Sequence, residues 1–324
     1  MSAVAAFASL QSRAAEPPLP ADTFAVIGKV TLTSADFQST FAAAARDKFY
    51  HAKPPEAEIA AYQREVGEDL INRVLAVEEA KRRGLKPDAK AVQQRLERFE
   101  ARSRHAPNWE KERAQRMAAI TTQFENQSLF EQLEAQVRKT PAATEAQARA
   151  YYDGHKGLFV EPEKLRMSVI LLKVDPSSPK ATWDKTRDEA AALRKRIAAG
   201  EDFGALARRH SGDGTAKDGG DMGYMHRGML PEGTDKVVEA LKPGEVSAPV
   251  TLLDGVALLK LNERKPAQQR GFNEVRQRAG ELWQRDEADK QWKKLLADLR
   301  KATPVRVNEA LYMPLAKPVA PRAG

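Results

Sequence analysis

The stretch GEDFGALARRHSGDGTAKDGGDMG, residues 200–223, decides how the rest of the chain is read. Residues 201–209 open on an acidic pair and keep Phe203, Leu206 and Ala207 at helical spacing, so they are predicted as a short helix. Ser211 to Gly223 holds five glycines in thirteen residues and is predicted as a loop. Just upstream, Leu165, Met167, Val169 and Leu171 alternate, which predicts a strand over 164–174, and 177–199 reads as a helix ending at Gly200. Downstream, 235–241 is a short helix stopped by Pro243 and Gly244, and 246–250 and 255–261 are strand-like. Together, residues 164–264 predict a compact α+β domain.

The flanks have a different grammar. Residues 24–32 are β-branched around Gly28 and predict a strand with a tight turn, and Ser34 is a plausible cap for the helix that follows. From there to about residue 155 the chain is helical, with breaks at Pro54–Pro55, Gly84–Asp88 and His105–Asn108, where Asn108 is a second candidate cap. Ile59, Tyr62, Val66, Leu70, Val74 and Val77 recur at steps of three and four and mark one apolar helix face. After Lys265–Pro266 a last long helix, 273–301, carries Trp283, Trp292, Leu295, Leu296 and Leu299 on one side, and 304–307 reads as a short strand. That apolar side needs a partner, and the N-terminal helices have stripes to offer. The expected division is a leader and linker at 1–23, a helical segment at 24–163, the α+β domain at 164–264, a returning helix and strand at 265–310, and a flexible tail at 311–324.

Composition excludes several classes. The chain has 324 residues, 42% of them hydrophobic and 30% charged, enough apolar material for real cores. It carries 53 basic and 45 acidic residues. Residues 1–163 are balanced and 265–324 hold 13 basic against 7 acidic, in mixed-sign order. A nucleic-acid surface would show a one-signed stripe with interleaved aromatics, so no nucleic-acid partner is expected. There is no cysteine, hence no disulfide and no thiolate nucleophile. His51, His105, His155, His210 and His226 form no i,i+4 pair, so no metal and no cofactor is expected. Residues 3–10 form a short apolar run followed by small residues near 12–14, the shape of a secretory signal without its basic start. No segment approaches the ~20 apolar residues of a membrane-spanning helix.

Residues 164–264 resemble the parvulin family of peptidyl-prolyl isomerases. The resemblance rests on ordered short motifs: GEDFGALA at 200–207, HSGD at 210–213, GGDMG at 219–223, RGML at 227–230 and KPGEVSAPV at 242–250. The flanking helical segments, with Tyr151–Tyr152 and Phe159 before the domain and a returning helix after it, resemble the periplasmic chaperone–isomerases. In those proteins the N- and C-terminal segments form one chaperone domain with the parvulin domain inserted. The resemblance implies that fold here, a periplasmic location, and unfolded or proline-containing polypeptides as clients.

Rotating an X–Pro bond means breaking amide resonance, against a barrier near 18–20 kcal/mol. A catalyst must bind the twisted amide better than the planar one. In parvulins an apolar cup holds the proline ring, and a Cys or Asp beside two histidines supplies the polar side. Carried over residue by residue, Asp213 matches the Cys/Asp position and is the catalytic candidate. Met222 and Leu230 match cup positions and are the substrate-binding candidates. Val169 and Ala257 stand where the family has its histidines, Leu252 and Asp254 where it has hydroxyl residues, and 232–234 where it has the cup phenylalanine. The read residues leave Asp213 two roles, a site carboxylate or a cap on its glycine-rich loop. The function implied is a folding factor with weak or absent isomerisation. A fully active isomerase, or a non-catalytic subunit of an export or polysaccharide machine, are the alternatives.

Overall fold

The computed structural model describes residues 17–50 and 54–315. The signal-like run at 3–10 and the last residues of the expected tail lie outside the described residues. From the N-terminus, strands β1 (Thr23–Ile27) and β2 (Val30–Thr33) form a hairpin about Gly28. Helices α1 (Ser34–Lys48), α2 (Glu56–Arg82), α3 (Ala89–Ser103) and α4 (Trp109–Val137) follow. Then come α5 (Glu145–Gly154), β3 (Val160–Glu161), β4 (Lys164–Lys173), α6 (Lys180–Ala198), α7 (Phe203–His210) and β5 (Asp221–Met225). The chain closes with α8 (Asp235–Ala240), β6 (Val250–Leu252), β7 (Gly255–Lys265), β8 (Gln268–Gln269), α9 (Phe272–Ala302) and β9 (Val305–Val307). The class is mixed helix and sheet.

The chain divides into two units, one of residues up to Ala142 with Leu282 onward, the other Ala143–Glu281. In the first, β9 pairs with β1 to complete the three-stranded sheet β2-β1-β9. The later part of α9 contributes Trp292, Leu295 and Leu296 to a core with Ala76, Val77 and Ala80 of α2 and Leu129 and Leu133 of α4. A second core gathers Phe24, Phe37, Ile71, Leu75 and Tyr312, with Leu299 of α9 packed against it. Thr33, not Ser34, caps α1, through a capping box with Asp36. Asn108 takes φ 61 and makes no cap bond, so it turns the chain between α3 and α4 rather than capping. Tyr312, expected in the tail, is a core residue.

The second unit is wider than the expected 164–264 because an aromatic collar joins it. Tyr152 lies 5.2 Å from the Phe159 ring and 5.8 Å from that of Phe272, and its hydroxyl donates to the Arg270 carbonyl at 2.6 Å. Inside the collar is the antiparallel sheet β5-β4-β7-β6. The β4–β7 ladder runs from Lys164↔Lys265 to Lys173↔Gly255, so the sheet domain is entered and left at one place. Alternation sends Leu165, Met167, Val169 and Leu171 to one face, where Val238 of α8 and Met225 join them. Ile170 and Leu172 point the other way, onto Ala190 and Leu193 of α6 and Phe203 and Leu206 of α7. The glycine-rich stretch is not all loop. Asp221–Gly223 begins β5, because glycine-poor composition is not needed where the partner strand β4 supplies the hydrogen bonds.

One close approach in the first unit generates a test. Phe24 and Phe37 stack at 4.0 Å and Tyr312 meets both edge-on. A Cβ added at Gly67 of α2 would lie 2.0 Å from the Tyr312 hydroxyl oxygen and 2.9 Å from Phe24. That hydroxyl is buried without a hydrogen-bond partner among the described residues, and burial pushes its pKa up to about 12. Gly→Ala inside a helix ordinarily stabilises by about 1 kcal/mol, but overpacking here costs about 1–3 kcal/mol. Gly67→Ala is therefore expected to lower stability in denaturant titration. Tyr312→Phe should be neutral or stabilising, since it removes an unpaired polar atom. The double variant should recover part of the Gly67→Ala loss. A stabilising Gly67→Ala would contradict this packing.

Candidate functional site

The candidate residues stand on the Val238-bearing face of the sheet. β5 pairs with β4 as Met167↔Gly223 and then Ser168↔Asp221, which leaves Met222 as the extra residue of a β-bulge. A bulge re-aims its side chain, and Met222 packs on the cluster of Met167, Val169, Ala257 and Leu259. Asp221 holds the bulge. Its Oδ1 accepts from the Gly223 amide at 2.9 Å and its Oδ2 from Arg166 at 2.6 Å, and the Arg166 guanidinium keeps its carboxyl below the usual range. Leu230 follows a short 3-10 turn at Arg227–Met229 and packs on the same cluster, together with Leu241, Val250 and Leu252.

The structure thus brings Met222 and Leu230 onto one apolar surface, whose floor includes the two positions that the resemblance assigns to histidines. Val169 is 5% exposed and Ala257 0%. They lie on neighbouring strands, offset by two residues, since Val169 pairs with Leu259 and Ala257 with Leu171. Such diagonal neighbours sit roughly 7–8 Å apart. Thr234, in the stretch where the family has its cup phenylalanine, is 0% exposed and donates its hydroxyl to the Pro231 carbonyl at 2.6 Å. Val169 and Ala257 make their part of the floor apolar.

Asp213 stands on the neighbouring loop. Beyond the bulge, this loop takes over from β5 as the partner of β4. Val169 donates its amide to Gly220, Leu171 to the Ser211 hydroxyl, and Gly212 donates to Leu171. Gly220 has φ +78, and a Cβ there would meet the Val169 carbonyl at 2.3 Å, so only glycine allows this approach. Asp213 Oδ1 accepts from the Thr215 amide at 2.8 Å and hydroxyl at 2.5 Å. That is the loop-capping geometry of an Asx turn. Oδ1 is committed to holding the loop.

The residues that hold the Leu230 segment were not singled out by the sequence. Glu163 Oε1 accepts from Arg264 at 2.8 Å and Oε2 from Arg227 at 3.0 Å. Arg264 also donates to the carbonyls of Val238 and Leu241, at the end of α8. Glu163 therefore holds the Arg227 end of 227–241, and its partner Arg264 on β7 holds the Val238–Leu241 end. The Arg264 hydrogen bond, with help from Arg227, holds the Glu163 carboxyl below its ordinary pKa. The partners lie 64 and 101 residues from Glu163 in sequence. No local pattern announces such a triad.

Next to this face is a cleft of about 470 Å³, lined among others by Tyr224, Met225, His226, Met229, Lys164 and Lys265. His210 is elsewhere, with Nδ1 4.0 Å from Glu189 of α6. Among the described residues no cluster of three His, Asp or Glu side chains could hold a metal ion, and no helix is long and apolar enough to cross a membrane.

A family profile described as the PPIC-type PPIASE (rotamase) domain matches residues 170–263. The chain is 44% identical over 99 residues to a chaperone SurA of Albidiferax ferrireducens, covering 30% of this chain and 21% of that protein. It is 26% identical over 190 residues to a foldase protein PrsA of Clostridium botulinum, covering 57% of this chain and 53% of that protein. A solved SurA-like chaperone of Campylobacter jejuni aligns at 19% identity and a TM-score of 0.39, over 88% of this chain and 99% of that one. The chain therefore spans about a fifth of the length of its SurA relative and about half that of its PrsA relative. The profile match over residues 170–263 shows that this chain carries a PPIC-type parvulin domain, similar in sequence to parts of the SurA and PrsA proteins.

Proposed function

We propose that this protein is an exported folding factor of the bacterial periplasm, in which the parvulin domain binds proline-containing segments and isomerises them weakly. The helical unit would hold unfolded envelope proteins. The observation that carries the reading is the surface on which Met222 and Leu230 pack, with buried Val169 and Ala257 in its floor. An apolar cup can seat a proline ring. It also desolvates the amide, which favours the twisted, less polar form. It offers no side-chain donor or acceptor at those two positions to the rotated carbonyl. Preorganised polar partners of that sort are worth roughly 2–4 kcal/mol at other enzyme sites. The names of the SurA and PrsA relatives, chaperone and foldase, support the holding role.

Turnover on a proline tetrapeptide should lie about 10²–10³-fold below that of a histidine-bearing parvulin, from the loss of that polar stabilisation. Asp213→Ala should leave client binding nearly unchanged and reduce the remaining turnover. Turnover equal to a histidine-bearing parvulin and indifferent to Asp213→Ala would sink the proposal and restore the fully active reading.

The holding role is tested apart from the cup. Lys164 and Lys265 are ladder partners, so residues 164–264 can be excised and the ends joined by a short linker. The shortened chain is expected to keep suppressing aggregation of an unfolded outer-membrane protein. Loss of all suppression in a chain that circular dichroism shows to be folded would count against it. Capture of one stoichiometric partner instead of many clients would favour an assembly subunit.

The Glu163 tie has a pH signature. A carboxyl whose folded pKa is depressed adds stability above its unfolded pKa, and that stability is lost as pH falls through the folded value. Glu163→Gln is expected to cost about 1–3 kcal/mol at neutral pH and to weaken peptide binding. The difference between wild type and variant should shrink as pH falls through the usual carboxylate range and vanish only below the lowered folded value. An equal difference at all pH values would show that the charge is not what ties the segment.

A further inference from the structure

The chain holds seven methionines and no cysteine, so thioethers are its only sulfur groups and no thiol competes with them for an oxidant. Four of the six methionines among the described residues gather at one place. Met167 and Met225 are buried in the cluster beneath the candidate cup, Met222 packs on that cluster, and Met229 directly precedes Leu230. Their access to solvent differs. Met167 is 1% and Met225 5% exposed, Met222 is half-buried, and Met229 stands in water. The other two, Met117 of α4 and Met313 beside Gln63, are half-buried in the first unit.

Met222 is singled out by where it is placed. It is the extra residue of the β5 bulge, and the Asp221 carboxylate braces that bulge by accepting from the Gly223 amide at 2.9 Å. The side chain is thereby delivered onto a surface whose floor includes Val169 and Ala257, neither of which has a hydrogen-bonding side-chain atom. A thioether there is apolar and adaptable, which suits a proline ring. A sulfoxide there is polar and finds no donor on either of those side chains, so seating an apolar ring against it leaves its oxygen without a partner. At Met229 the same change leaves a polar group in water, where it costs little.

We infer that Met222 is a reversible modification site: a hydroperoxide oxidises its thioether and empties the cup of proline, and reduction of the sulfoxide restores binding. This deepens the cup reading and rests on it for the proline. The sulfur lone pair attacks one peroxide oxygen. An S–O bond forms, the O–O bond breaks, sulfur gives up two electrons, and with hydrogen peroxide the second oxygen leaves as water carrying both protons. A sulfoxide reductase supplied with a dithiol reverses the step, the oxygen leaving as water and the dithiol becoming a disulfide.

The test treats the full chain with graded hydrogen peroxide, maps each methionine by mass spectrometry, and measures affinity for a labelled proline peptide on the same samples. Affinity should fall about tenfold or more in step with Met222 oxidation, the size expected when a polar group is left unpaired. It should not follow Met229, which reacts first, nor Met117 or Met313. Sulfoxide reductase with dithiothreitol should restore it. A Met222→Leu chain oxidised equally at the other three positions should keep its own starting affinity. Full affinity with Met222 completely oxidised, an equal loss in Met222→Leu, or a Met222 that stays a thioether after Met117 and Met313 have reacted overturns the proposal. If the untreated chain binds no proline peptide, the cup reading fails. The modification site then stands if Met222 still oxidises and is reduced again, with a thermal midpoint that falls and recovers in step and does neither in Met222→Leu, and it falls if the midpoint is indifferent to Met222.

Discussion

Everything in the parvulin unit depends on the β4–β7 ladder. It is the longest pairing of the sheet, and both of its faces are buried. Because side chains alternate along a strand, this one pairing separates the residues that pack under α6 and α7 from those that face the candidate site. A slip of one residue would exchange Ile170 and Leu172 for Val169 and Leu171 and destroy both layers. Register is therefore strongly specified, and the site inherits its precision from it. Met222 and Leu230 are aimed by a bulge and a short turn whose positions are fixed against β4.

The same ladder sets the character of the proposed cup. Val169 and Ala257 are fully committed core positions in this chain. Apolar side chains at such depth carry no cost of burying polar groups without partners. Under the proposed reading, domain stability and polar catalysis pull in opposite directions at these two positions. Around the cup stand the Asp221 brace on the bulge and the Glu163–Arg227 and Arg264 contacts that hold the two ends of the 227–241 segment.

Much of this was legible in the sequence. The alternation of Leu165, Met167, Val169 and Leu171 predicts β4 and its site-facing side, and the ordered motifs single out Met222 and Leu230, which share one apolar surface. Local capping chemistry was nearly legible too, missing the α1 cap by one residue. Other features were hidden for identifiable reasons. The start of β5 lies among glycines, whose low strand propensity masks a strand made by pairing with β4. Tyr312 follows a polar turn near a proline-rich end, and only the ring pair of Phe24 and Phe37 makes it a core residue. Glu163, Arg227 and Arg264 meet across sequence separations that no periodicity can encode. Asp213 was legible as a position but not as a role, because one carboxylate next to glycines serves either a loop or a site.

The decisive measurement is methyl and exchange NMR on the full chain with a proline peptide, reading binding and cis–trans exchange in one sample. Binding should perturb the methyls of Met222 and Leu230, while the exchange rate rises only modestly over the free peptide. An apolar cup without polar catalysis contributes the first effect and little of the second. No perturbation at Met222 and Leu230, or exchange as fast as with a histidine-bearing parvulin, would contradict it.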